Sequence, residues 1–175
     1  EMAFWEKEMG ARSTYFLLPT AAYWDHDGFL DKALQIQDFG HEIGLHLNML
    51  SQWLDNRIDD PLECLKAQLG VLRRAGMEVL GSAAHGDRLC YEHDFINYWL
   101  FRELRPDDPR KKESGRNAEG LPALEQEKKI TYPEGHELTR KDGRILSLWS
   151  VTMQSLGLKY HALHLPVDGY FTDSG

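Results

Sequence analysis

Imidazole and carboxylate side chains recur in this chain just beyond short apolar runs rich in β-branched and aromatic residues. Asp25 and His26 follow Arg12–Leu18, and His46 follows Glu42–Leu45. His85 lies in Ala84-His85-Gly86-Asp87 after Met77–Ser82, and Asp173 follows Tyr170-Phe171. If the apolar runs are parallel strands, these groups meet at one end of a sheet, where ring nitrogens and carboxylate oxygens are the commonest ligands of a divalent cation such as zinc. Spacing leaves a second reading open for each, since a lone histidine beside a glycine also serves as a hydrogen-bonded loop residue. His93, His136, His161 and His164 rank lower. His161 and His164 have the spacing of neither a helical pair nor a same-face strand pair, and His136 sits in a polar stretch.

The elements that would position these groups alternate along the chain. Arg12–Leu18 reads as a buried strand stopped by Pro19, and Phe29–Phe39 as a helix ended by Gly40; Glu42–Leu45 is a short strand. Asp59 or Asp60 caps a helix with Pro61 at its first position, and Leu62, Leu65, Leu69 and Leu72 keep helical spacing until Gly76. Met77–Ser82 is a third strand, and Asp94–Leu104 reads as an aromatic-rich helix. Between Arg102 and Glu119 eleven of eighteen residues are charged, which predicts a solvated polar insertion spanning about 102–144. Ile145–Leu156 resumes a helical pattern, and Leu158–Leu165 and Gly169–Thr172 are the last strand candidates. The expected class is α/β, with parallel strands and flanking helices in one domain over 1–175, and with chemistry at the carboxyl ends of the strands.

Composition narrows the partners. With 20 Lys and Arg against 28 Asp and Glu, the net charge of −8 gives no general attraction to nucleic acid or an anionic membrane surface. No run approaches the ~18 apolar residues of a membrane span. Cys64 and Cys90 have no metal-site spacing, which fits a reducing compartment; with no signal peptide in view, a cytoplasmic location is favoured. Residues 1–9 place Met2, Trp5 and Met9 on one helix face without a start signal, and Thr172–Gly175 is a turn from which the chain should continue. Both ends are therefore read as cut. Trp24 and Trp53 follow strand ends and are candidates for a sugar-stacking platform, whereas Trp99 and Trp149 sit in helical patterns and are assigned to the core.

The segment Gly40-His41-Glu42-Ile43-Gly44-Leu45-His46, behind a helix and the strand RSTYFLL, resembles the second motif region of the NodB-type polysaccharide deacetylases. More specifically it is similar to a divergent branch in which a segment like EMAFWEKEMGARSTYFLL follows an upstream His-Asp-x-Asp motif. Ser82–Asp87 with Leu89, Phe95-Ile96-Asn97-Tyr98, Gly157–Tyr160 and Tyr170–Gly175 follow in the same order. The resemblance implies an incomplete, distorted (β/α) barrel that holds a divalent metal, zinc foremost, through one Asp and two His. It also implies hydrolysis of acetyl groups on a carbohydrate by a metal-activated water, with a carboxylate taking the proton.

Residue by residue, His46 matches the first metal histidine, while the second would stand at the position of Leu50; His85 is the implied replacement. Asp173 matches a late segment in which it would orient a ligand or the catalytic histidine, or else it forms a turn. Asp87 shares the His85 loop and joins Trp24 and Trp53 as a substrate-binding candidate. His41 and Glu42 are expected to pack, cap or support rather than to ligate. Because the Asp motif would precede Glu1 and a His motif would follow Gly175, this stretch alone is expected to be inactive. Two other functions compete: a degenerate barrel that binds carbohydrate or serves structurally, and an unrelated barrel hydrolase using Asp25 and His26.

Overall fold

The computed structural model describes residues 1–105 and 137–165. Four parallel strands, β1 (Thr14–Leu17), β2 (Glu42–Leu47), β3 (Val79–Ala84) and β6 (Tyr160–His161), form one sheet in the order β1-β2-β3-β6. The class is α/β, with helices flanking a parallel sheet. Among the described residues the sheet is open, with β1 and β6 as its edges, so barrel closure is not seen. Residues that alternate along β2 divide its faces. Ile43, Leu45 and Leu47 are fully buried in the main core with Leu65, Leu69 and Leu72 of α4 (Pro61–Arg74) and Ala33 of α2 (Phe29–Asp38). Glu42, Gly44 and His46 take the other face.

That second face is lined by rings laid on glycines. A Cβ on Gly44 would stand 2.5 Å from the Phe16 ring, and one on Gly81 would stand 2.2 Å from the Tyr160 ring. No side chain fits at either position while the rings stay in place. Glu42 joins the sheet edges across this face, accepting from the Tyr160 hydroxyl at 2.7 Å and the Thr14 hydroxyl at 3.3 Å. Burial and the Glu42 carboxylate push the Tyr160 phenol up to about 12, so it stays a donor.

α4 forms where its signals place it. The Asp60 carboxylate accepts from the amides of Leu62 (2.8 Å) and Glu63 (3.1 Å), Pro61 opens the helix, and Gly76 at φ 98° turns the chain after it. Elsewhere the elements differ from expectation. Residues 94–104 are not an α-helix: α5 is Arg88–Glu92, Asp94 takes φ 49°, and only Arg102–Leu104 coils, as a 3₁₀ turn. Phe95, Tyr98, Trp99, Leu100 and Phe101 are all buried, and a segment apolar on every side carries no face to fix its period. Residues 145–156 are not an α-helix either, and only Gln154–Leu156 coils, as a 3₁₀ turn. Ile145–Ser147 is β5, paired antiparallel with β4 (Glu137–Thr139), so the end of the polar insertion expected over about 102–144 belongs to a hairpin. The strand expected over 158–165 shortens to β6 and a 3₁₀ turn. Most of the polar insertion, and the strand expected over 169–172, lie outside the described residues.

Arg140 fixes this hairpin to the body. Its guanidinium, almost fully buried, donates to the carbonyls of Trp53 and Ile58 at 3.3 Å each, lies 5.3 Å from the Trp53 ring centre, and pairs with Asp142 at 2.6 Å. Arg140 thereby holds the Asp142 carboxyl down to about 2, below its ordinary 3.8. A carboxylate depressed in the folded state stabilises above its unfolded value and loses that contribution as pH falls from 3.8 toward 2. Near-ultraviolet dichroism should therefore change over that interval, and Asp142→Asn should abolish the change; an identical acid profile in the variant refutes the anchor. No helix among the described residues is long and apolar enough to cross a membrane.

Candidate functional site

The two histidines singled out as ligands meet at the carboxyl end of the sheet. His46 is the fifth residue of β2, and His85 follows β3 directly, its amide donating to the Leu47 carbonyl at 2.8 Å to extend the ladder. An irregularity in the β2–β3 register sets this phase. Ile43 pairs Val79 but Leu45 pairs Ser82, so β3 carries one extra residue, and beyond it His46 faces Ala83 and Leu47 faces Ala84. The imidazole centres lie 5.1 Å apart with planes at 84°, and both side chains are partly exposed.

Burial holds the His46 pKa below its ordinary 6.5, with His85 acting in the same sense and the Ala84 carbonyl opposing. At neutral pH the ring is a neutral base. A histidine depressed on folding gives full stability above its unfolded value and loses stability as pH falls below about 6.5, because the unfolded chain takes the proton first. The metal-free chain should therefore unfold at lower denaturant at pH 5.5 than at pH 8, with a smaller difference in His46→Gln. Equal differences in the two proteins would refute this shift.

The other expected residues are dispersed. Leu50 is fully buried in α3 (Met49–Leu54) and packs in the core, so this helix delivers no ligand at that position. Both nitrogens of buried His41 are committed to backbone, Nε2 to the Ala3 carbonyl at 2.7 Å and Nδ1 to the Ser13 amide at 3.2 Å, pinning α1 (Met2–Glu8) beneath the sheet. Asp87 caps α5, accepting from the Cys90 amide at 3.2 Å, so one of its oxygens is engaged before any substrate is considered. Trp53 is a correction: at 2% exposure, beneath Arg140, it offers no open ring face for a sugar and belongs to the core. Trp24 is half-buried, its ring 5.1 Å from Phe29.

Asp25 and His26 stand exposed in the β1–α2 loop, with His26 Nδ1 donating to the Asp27 carbonyl at 2.6 Å. His161 pairs with Ser82, on the sheet face opposite His46, and packs 4.7 Å from the Tyr98 ring. Trp99 and Trp149 are buried as expected, though neither is helical. Asp173 and His136 lie outside the described residues.

Two asparagines missing from the expected site tie its loops together. Asn48, 8% exposed, donates to the Thr20 hydroxyl at 2.9 Å, linking the chain beyond β2 to the chain beyond β1; its Oδ1 is buried with no hydrogen-bond partner among the described residues. Asn97, fully buried, bonds both the start of α3 and the His85 carbonyl. The one sequence signal for Asn97 is an amide inside the apolar run Phe95–Phe101, where an uncompensated polar group would be costly. Among the described residues no group of three or more His, Cys, Asp or Glu is placed to hold a metal ion. Comparison with protein-family models, with curated proteins and with solved structures finds no match.

Proposed function

We propose that this chain is part of a metal-dependent carbohydrate deacetylase of the NodB type, with His46 and His85 as two ligands of a zinc ion. The observation that carries the reading is the imidazole pair. With Zn–N bonds of about 2.0–2.1 Å and a tetrahedral angle, two ring centres sharing one zinc lie about 5.2 Å apart, and the separation here is 5.1 Å. Orphaned Oδ1 of Asn48, two residues beyond His46, adds a buried oxygen in need of a donor or cation. Strand order supports the barrel part of the reading, since consecutive strands stand side by side without the reversal of a doubly wound sheet.

In this scheme His46 and His85 would hold the ion through ring nitrogens at the strand ends. When bound, the metal would lower the pKa of a water and polarise an acetyl carbonyl. Asp173, by its place in the resemblance, is the group proposed to orient a ligand or the catalytic histidine. Trp24 is the remaining candidate for contact with a sugar face. Zinc-dependent release of acetate from N-acetylated and O-acetylated oligosaccharides by the complete protein of which this chain is proposed to be part is the direct test; no release with zinc bound there counts against hydrolysis.

A second reading is a degenerate relative that binds carbohydrate without turnover or serves structurally. It is favoured by the burial of Leu50 at the expected ligand position and by the lack of a third acidic, thiol or imidazole ligand among the described residues. A 5.1 Å perpendicular pair is also a favourable contact between two rings without metal. Oligosaccharide binding that persists in chelator would support this reading.

A further inference from the structure

We infer that Asn97 is a positioning residue of the His46–His85 pair, its buried side-chain amide holding the loop after β3 to the helix after β2 beyond the strand ladder that already joins them. This inference rests on the reading of that pair as a zinc site. Asn97 Oδ1 accepts from the amides of Leu50 and Ser51, both at 3.1 Å, and these belong to the first turn of α3, four and five residues beyond His46. Asn97 Nδ2 donates to the carbonyl of His85 itself at 2.8 Å and to the Ser51 hydroxyl at 3.0 Å, with the Cys90 sulfur at 3.4 Å. One amide thus spans the helix after β2 and the loop after β3, the two segments that carry the imidazoles.

The local sequence does not provide this link. Asn48 holds the N-cap position of α3 yet makes no side-chain cap bond, its amide being turned to Thr20. Asn97 supplies the missing acceptor from 46 to 47 residues away. The two ends of the amide are not interchangeable. Its oxygen faces N–H donors and its nitrogen faces a carbonyl, so a carboxylate of the same size would keep the first contact and set an oxygen against the His85 carbonyl. The His85 backbone would then move away from α3, and its ring away from His46.

The test compares the full chain with Asn97→Asp, using zinc affinity by calorimetric titration and the visible absorption of cobalt(II) bound in place of zinc. Asn97→Asp should weaken zinc by about 10- to 100-fold, as loss of an outer partner does, and should shift the cobalt bands. Leu69→Ala, a buried α4 substitution at a side chain that makes no hydrogen bond to the amide, should lower the melting temperature and leave the cobalt spectrum unchanged. Ser51→Ala removes one acceptor of Asn97 and should weaken zinc in the same direction by a smaller factor; it decides the matter if Asn97→Asp does not fold. Wild-type affinity and cobalt bands in either folded Asn97→Asp or, failing that, Ser51→Ala overturn the positioning role alone. Failure of the wild type to bind either metal overturns the zinc reading and the positioning role together.

Discussion

Substitution of His46 or His85 by alanine should lower zinc affinity by on the order of 100-fold or more in each case, since removing merely an outer partner of a ligand already costs about 10- to 100-fold. The two losses should not add when the histidines share one ion, because a zinc left with one imidazole has already forfeited most of its coordination energy. Titration calorimetry at pH 7.5 on both single variants and on the double variant measures this directly. Unchanged affinity in either single variant would remove that residue from the ligand set. Melting temperature without metal serves as the control. Both rings are partly exposed, so their removal should change the fold's own stability far less than the affinity.

The second large effect concerns the scaffold. Trp99→Ala should destabilise the chain by about 3–5 kcal/mol, the usual cost of emptying an aromatic core position. That is a large part of the roughly 5–15 kcal/mol available to a folded domain, and corresponds to a drop of about 6–20 °C in melting temperature at this size. Trp99 is fully buried, its ring 5.4 Å from that of Trp149, and its carbonyl accepts the Trp149 amide at 2.6 Å. Leu100 and Arg102 bond the backbone of Val151 alongside, so the cavity would loosen the segment that carries Asn97. Half-buried Trp24 should tolerate alanine with a much smaller loss. Comparable melting temperatures for the two variants would contradict the assignment of Trp99 to the core.

What could be read from the sequence follows from where the determining interactions lie. α4 is written in local terms: a capping aspartate, a proline at the first position, leucines on one face and a glycine to end it, all within 17 residues from Asp60 to Gly76. β2 and β3 with His46 and His85 were legible for the same reason, although β2 runs on to Leu47 and so takes His46 into the strand while His85 follows β3. The segment from Phe95 to Phe101 was not. Tertiary contacts satisfy it on all sides, and its aromatics would read as helical whatever the backbone did. Trp53 misled in a different way: its place after a strand end suggested exposure, while Arg140, 87 residues later, covers it. Asn97 lies within Phe95-Ile96-Asn97-Tyr98, and nothing in that run marks it as a hub, since its partners lie up to 47 residues earlier in the chain.

The amide bridge that joins the two histidine-bearing segments has a consequence for experiments on the whole chain. A carboxamide does not titrate, a serine hydroxyl does not titrate in the working range, and burial pushes the Cys90 thiol up to about 11. The three side chains of the bridge therefore carry no charge from about pH 4 to pH 9, and the charge beside them is the Asp87 carboxylate that caps α5. The one sulfur of the bridge stays a thiol and resists alkylation and oxidation, which require thiolate. Acidity or ionic strength can then retune the rings without warping the frame beneath them. On the proposed reading, the pH profile of zinc binding then follows loss of the proton from His46, whose pKa burial holds below 6.5.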